Sequence, residues 1–552
     1  KLVASLIVVS FVFLFYRFFL SDLPFVAPDW PLLFAESRDF HPFWAISWDY
    51  MGNGGIGSPA FKTIWVDLYT NFVYFISNFL DIPWWLSQRI FWIVPFSALS
   101  LLSSYRLSGL FLKNDLLRVL SVLIYTFNTY ILMIVGGGQF GVAFAYALFP
   151  LVFASLIRFA QKPELPQALS FGLLMGILIA LDPRIAVLFS LAGFLWVVFL
   201  AKKNMKLFKL GFLASLIALL LNSYWILPII LTKSALTGFS GYSFTVGVKF
   251  LSFTRLENAM SLLHPNFPEN IFGKTYFFRP EFLLIPILAF ANLFLKVRKE
   301  IFFFIGLSLL AIFLAKGAEE PFGQIYLFLV DNIPGFGIFR DSTKFYVLIA
   351  LSYSVLIPYF IENFSQKIKK ALTLGFIIYL LFLLRPAWMG ELGGIFDPKP
   401  IPSEYLTLKD SLKEDKNFYR TLWIPQRSKY GYFDPNHPAI DAKALYKDSN
   451  PVRLPDKLNE KKLSELSVRY VIIPTDTDSE IFLKDRKYDQ KQYKGTVSSL
   501  EKVAGLKKVD SFPGLAVFET PSYKKNSPDV YNASQKWVNM GLLISLGTFL
   551  CL

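Results

Sequence analysis

The sequence predicts a polytopic α-helical membrane protein of about twelve transmembrane helices, with an extracytoplasmic α/β soluble domain. Three observations predict it. Of 552 residues, 54% are hydrophobic and only 17% charged, with a mean hydropathy of +0.47. That balance is found in membrane-embedded chains and rarely in soluble domains. About a dozen apolar stretches of roughly 17–24 residues are each long enough to cross about 30 Å of hydrocarbon as a helix. After Arg385 the composition turns abruptly to Lys, Asp, Glu and Pro.

The expected spans are 2–19, 84–104, 118–135, 140–157, 166–182, 184–201, 207–230, 281–296, 300–316, 343–361, 371–386 and a last one from about 536. Residues 2–19 have no small-residue cleavage site after them and read as a retained span, not a signal peptide. The chain starts without Met and ends inside an apolar run, which fits a piece of a longer chain. Arg106, Lys113 and Arg118; Arg158 and Lys162; Lys202, Lys203, Lys206 and Lys209; Lys296, Arg298 and Lys299; and Lys367, Lys369 and Lys370 alternate onto one face. The positive-inside rule makes that face cytoplasmic. Outer loops then cover 20–83, 231–280 and 317–342, within a membrane domain spanning 1–389. In the first loop, TIWVDLYTNFVYFISNFLDIP is aromatic and amphipathic and predicts a helix along the interface. Residues 390–533 hold strand-like runs, RYVIIP and GLAVFE, and a helical pattern, SEYLTLKDSLKED, which predict the outer α/β domain. Residues 534–552 begin a further span.

The composition also excludes chemistry. The formal charge of +15 sits largely in short loops between spans, where it matches anionic headgroups; nucleic-acid binding is not expected. Cys551 is the only cysteine, so disulfides and thiolate metal sites are not expected. His41, His264 and His437 are dispersed and no HExxH occurs, so no zinc site is expected. No cofactor is expected; a divalent metal lacks support in the sequence.

The unusual polar residues gather on the outer side. In the first loop lie Asp29 (in PDW), Asp39 and Asp49. A carboxylate held at the membrane surface in a partly dry recess has a raised pKa and can serve as a general base. Asn53 and Gly54 lie in GNGGIG, whose glycines permit tight turns and close backbone approach to a ligand or, equally, a plain turn. LDPR joins two spans and puts Asp182 and Arg184 at the membrane boundary, where charges pair, cap helices or serve function. FRDSTKF places Arg340, Asp341 and Lys344 before another span, with Arg340 and Lys344 one turn apart as a phosphate clamp. His264 begins HPNFPEN in the second outer loop. Gly136–Gln139 reads as a packing turn.

These segments carry a resemblance. PDWPLLF, WDYMGNGGIGSP, IPWWLSQR, ALDPR, LNSYWILP, HPNFPENIFG and FRDSTKF resemble the GT-C superfamily of integral-membrane glycosyltransferases. More narrowly, they resemble bacterial membrane proteins related to α-(1→3)-arabinofuranosyltransferases and the YfhO-type family, over essentially residues 1–390. Members of known activity transfer a sugar from a polyprenyl-phosphate donor to a glycan, lipid or protein acceptor at the outer leaflet. The resemblance implies Asp29 as base, with Arg340, Lys344 and Arg184 on the donor phosphate. It further implies a place in the cytoplasmic membrane of a prokaryote, with membrane lipids as partners and the site facing outward. Neither a WWDYG motif nor a convincing DxD is present, so protein N-glycosylation is not supported. A transporter or flippase of lipid-linked intermediates, and a non-catalytic scaffold of envelope assembly, remain the alternatives at this point.

Overall fold

A computed structural model gives the fold and describes residues 16–27, 29–30, 34, 46–59, 64–201, 204–232, 244–269, 278–448, 450–474, 490–524 and 535–552. Most of the described residues form a helical bundle. Its elements are α1 (Ile64–Phe79), α2 (Trp84–Ser108), α3 (Asp115–Thr126), α4 (Thr129–Gly136), α5 (Phe140–Gln161), α6 (Leu165–Leu181), α7 (Pro183–Leu200), α8 (Met205–Leu221) and α9 (Ser223–Thr232). They continue with α10 (Pro280–Phe294), α11 (Lys299–Ala315), α12 (Ser342–Glu362) and α13 (Gln366–Leu383). The expected span 2–19 lies largely outside the described residues; only Tyr16–Phe19 appears, as a 3-10 turn.

Among the described residues, four helices, α2, α5, α7 and α12, are long and apolar enough to cross a membrane. They become six if two bent pairs each count as one span. The bends correct two expected straight spans. Stretch 118–135 breaks by 43° between α3 and α4, where Asn128 caps the second helix by accepting from the Ile131 amide. Its own amide covers the Ile124 and Tyr125 carbonyls left open by the break. Stretch 207–230 breaks by 80° at Asn222, whose amide bonds the carbonyls of Gly176 and Ala218. In both, an asparagine satisfies backbone groups that a straight helix would satisfy itself.

The bundle is ordered from the inside out. Residues Ser342–Pro358 of α12 are buried without interruption, and α5 is buried along most of its length. Phe194 and Phe199 of α7, and Phe208 and Phe212 of α8, stay exposed, as lipid-facing side chains would. Small residues bring helices together: a Cβ on Gly172 of α6 would lie 2.8 Å from the Ala214 carbonyl of α8.

Two ends of the bundle differ in character. At one, Arg298 donates to the Phe111 carbonyl (3.0 Å) and the Lys113 amide to Glu362 (2.9 Å). Three of the basic loops are thereby drawn together. At the other end lie Asp29, Gln139, Asp182, His264 and Lys344.

The α/β unit is built on five strands: β3 (Arg420–Trp423), β4 (Ala439–Asp441), β5 (Val468–Ile473), β6 (Lys507–Val509) and β7 (Ala516–Glu519). A two-residue ribbon of β1 (Trp48–Asp49) and β2 (Ser58–Pro59) precedes them in the first loop. The order is β4-β3-β5-β7-β6, parallel through β4-β3-β5 and antiparallel through β5-β7-β6. RYVIIP and GLAVFE thus supply neighbouring strands, and the apolar face of α14 (Ser403–Glu414) packs beneath the sheet through Tyr405, Leu408 and Leu412. The chain then returns to the bundle as α15 (Gln535–Leu550), where Gly541 permits near contact with the Ser223 backbone of α9.

Candidate active site

The site is assembled from four turns, each held by local chemistry. The first carries Asp29. Gln88 of α2 pairs with the backbone of Phe25 through both amide atoms, at 2.7 and 2.9 Å. Arg89 beside it is buried and donates to the carbonyls of Phe18, Ser21 and Leu23, with its guanidinium 4.1 Å over the Phe25 ring. A fork of five donors suits such a cluster of carbonyls. Next comes a bridge between Ala27 and Trp30, leaving Asp29 at its tip.

That tip rests on Gly136–Gln139. Gly138 has φ +80°, and a Cβ there would lie 2.6 Å from Trp30 Cβ. Glycine is required on both counts. Gln139 follows and donates from Nε2 to Asp29 Oδ2 at 2.5 Å. Its Oε1 accepts from Lys344 Nζ at 3.3 Å.

The third and fourth turns are built alike. Asp182 caps α7 by accepting from the amides of Arg184 (2.9 Å) and Ile185 (3.3 Å), and it pairs with the Arg184 guanidinium at 2.6 Å. Asp341 caps α12 by accepting from the Thr343 amide (3.1 Å) and hydroxyl (2.6 Å), and it pairs with Lys344 at 2.6 Å. Asp182 and Arg184 therefore do pair and cap, and they also stand at the site. Lys344 is 1% exposed, whereas the Arg184 side chain keeps 40% of its surface.

Asp29 feels Lys344, Arg184 and Asp341 together. Its carboxyl is reached by solvent, yet it sits in a recess crowded by protein atoms. That burial pushes its pKa above the ordinary carboxylate range, against the Gln139 hydrogen bond and the two cations, which pull it down. Burial also pushes Asp341 up, but Lys344 and Thr343 outweigh it and hold Asp341 at about 2. His264 is lowered to about 3 by burial, so it is neutral near pH 7. The Asn266 amide donates to its Nδ1, which places the proton on Nε2. That Nε2 and the Tyr130 hydroxyl are both buried with no hydrogen-bond partner among the described residues. Both feel the Asp341 charge.

Other expected site residues are placed elsewhere. Asp39 lies outside the described residues. Asp49 sits in β1 and accepts from the Met51 amide (2.9 Å); burial raises its carboxyl too, but none of Lys344, Arg184 or Asp29 bears on it. Asn53 and Gly54 fall in the short turn Gly52–Gly55, which presses on the α/β unit. A Cβ on Gly54 would lie 2.7 Å from Ala444 Cβ, and one on Gly55 would overlap the Ala439 carbonyl. These glycines permit close backbone approach, but to a protein strand and not to a ligand. Arg340 is exposed and makes no ion pair among the described residues. Asp341 is extended (φ −92°, ψ 97°) and separates two 3-10 turns, so Arg340 and Lys344 do not form a one-turn clamp. Sequence reasoning missed Gln139, Gln88, Arg89 and Tyr130 as site builders. The Gly-Gly-Gly before Gln139 was the available signal.

Beside the site, an apolar crevice runs between helices, lined by Ile124, Thr129, Leu262, Phe282, Ile357 and Leu383 among others. Thr129 links it to the ionic cluster, donating to the Leu262 carbonyl and accepting from the His264 amide, each at 2.7 Å. Among the described residues, no three His, Cys, Asp or Glu side chains gather as metal ligands.

The fold of the helical bundle with its α/β unit is one found among solved structures. Among solved structures, the chain is similar to the single-particle cryo-EM structure of arabinofuranosyltransferase AftD from Mycobacteria. The TM-score is 0.57 at 13% identity, over 95% of this chain and 40% of that one. The chain thus spans less than half the length of AftD. It also aligns with the archaeal oligosaccharyltransferase AglB from Archaeoglobus fulgidus, in complex with an inhibitory peptide and a dolichol-phosphate, at TM-score 0.45 and 11% identity, over 97% and 75% of the two chains. No protein-family model matches the chain, and no curated protein matches it.

Proposed function

We propose that this protein is a glycosyltransferase of prokaryotic cytoplasmic membranes. It would move a sugar from a polyprenyl-phosphate donor to a glycan, lipid or protein acceptor at the outer face. Asp29 takes the proton of the acceptor hydroxyl, and that oxygen attacks the anomeric carbon. The bond from that carbon to the phosphate oxygen breaks with inversion, and polyprenyl phosphate leaves with the bonding electrons. Lys344 and Arg184 stabilise its charge. The α/β unit would position the acceptor.

One observation carries this reading: Asp29, the acid whose environment favours proton uptake, stands in the field of both Lys344 and Arg184. Acids perturbed by burial beside specific charges are functional-site candidates. A scaffold has no need of that meeting. A flippase would place ionisable groups along the membrane midplane, whereas here they gather at one end of the bundle.

The test is sugar transfer by the purified protein in nanodiscs, supplied with polyprenyl-phosphate sugars and envelope glycan acceptors and followed by mass spectrometry. Transfer by the wild type, lowered by about a hundredfold or more in Asp29→Asn, supports the proposal. Undiminished transfer by Asp29→Asn removes the base and with it the mechanism.

A further inference from the structure

The reading above gives Asp29 and Lys344 separate tasks, yet the structure joins them through one side chain. Gln139 donates to Asp29 at 2.5 Å with one amide atom and accepts from Lys344 at 3.3 Å with the other. The neighbours fix this orientation. A flipped amide would set its oxygen against a carboxylate and its NH2 against an ammonium. We propose that Gln139 is a positioning residue that couples the two ends of the site, so that a phosphate arriving at Lys344 is felt through the amide by the Asp29 carboxylate.

The hydrogen-bond lengths say which link yields. Lys344 holds Asp341 at 2.6 Å, within a cap that also engages Thr343, but holds Gln139 only at 3.3 Å. A phosphate oxygen drawing the ammonium to itself therefore weakens the bond to Gln139 before the bond to Asp341. Linked hydrogen bonds polarise one another. An amide whose oxygen has lost its ammonium is a poorer donor to Asp29 at its other end. The carboxylate then holds a proton more strongly, as a base must once the donor is in place. The phosphate charge acts in the same direction through space, so the experiment must separate the two routes. The turn leaves Gln139 little freedom to avoid this role: its amide is bonded to the Ile134 carbonyl at 3.1 Å, and Gly138 is wedged under Trp30. The charged groups facing Asp29 are Lys344, Arg184 and Asp341, and all three remain in a Gln139 variant.

The inference rests on the proposed function, because it takes Lys344 as the phosphate site. The probe is inorganic phosphate, added to the full chain in nanodiscs. The Asp29 carboxyl band is assigned by infrared difference against Asp29→Asn and titrated with and without phosphate. Wild type should show its midpoint rising by about one pH unit with phosphate. In Gln139→Leu, and in Gln139→Asn, which is too short to span the gap, the rise should fall to half or less while phosphate still binds. A rise of wild-type size in a variant that binds phosphate overturns the coupling and leaves the proposed function standing. Phosphate binding that is absent, or indifferent to Lys344→Gln, overturns the phosphate site itself and the coupling with it.

Discussion

Asp29 and Asp49 belong to one long loop before the second expected span, and burial raises both carboxyls. Their surroundings separate them. Asp29 meets an amide bridge, an ammonium and a guanidinium delivered by three other turns of the bundle. Asp49 meets the amides of its own loop, Met51 and Gly52, and the turn after it is pressed on the α/β unit. A raised carboxyl alone is thus an effect of burial. Under the proposed function, a raised carboxyl among converging cations can take a proton while an anion departs, which a carboxyl raised by burial alone cannot serve.

The sharpest way to break this contrast is to neutralise each acid. Asp29→Asn should lower transfer by about a hundredfold to ten-thousandfold, the range for losing a general base, and Asp49→Asn should stay near wild type. A reversed order of rates would exchange their roles. The cations come next. Lys344→Gln should raise the donor KM by about tenfold or more and also lower stability, since Asp341 is left without its partner. Arg340→Gln, at an exposed position, should change neither; steady-state kinetics and thermal melts read both. Smaller effects should follow from glycines that seat the loop. Gly138→Ala forces Trp30 aside and should cost about tenfold in kcat through misplacement of Asp29. Gly54→Ala should loosen the contact with the α/β unit and show mainly in Tm.

The smallest effect is one of pH. In the proposed mechanism Asp29 acts deprotonated, and burial raises its pKa from the ordinary aspartate value, so activity should climb with pH through that raised value. His264, lowered to about 3, should contribute no limb between pH 5 and 8. A pH–rate profile of His264→Asn with an unchanged acidic limb agrees with this.

Much of the layout was legible in the sequence because it follows from periodicity and charge. Apolar runs gave the helices, three of the basic loops meet at one end, and LDPR and FRDSTK were recognisable as polar turns at helix starts. Cap chemistry made the last two readable: an aspartate before a helix satisfies free amides wherever it occurs. What escaped depends on contacts distant in sequence. Gln139 lies 110 residues from Asp29 and 205 from Lys344, and a glutamine after three glycines looks like any other turn. GNGGIG was read for close approach correctly, but whether a ligand or a strand approaches is decided only by the fold. The bends at Asn128 and Asn222 were hidden because each asparagine interrupts a run whose overall hydropathy still fits one span.

Val26 and Phe34 flank Asp29 in the chain, and both are buried in the same apolar cluster as Tyr405, Trp423 and Tyr432 of the α/β unit. Phe34 packs at a tilt against Tyr432, 5.8 Å between ring centroids. Each such side chain is worth about 1.5–3 kcal/mol when kept from water. Cutting the gene near codon 390 to obtain a minimal catalytic core would therefore unmoor the very strap that presents the base, and the two halves should melt as one.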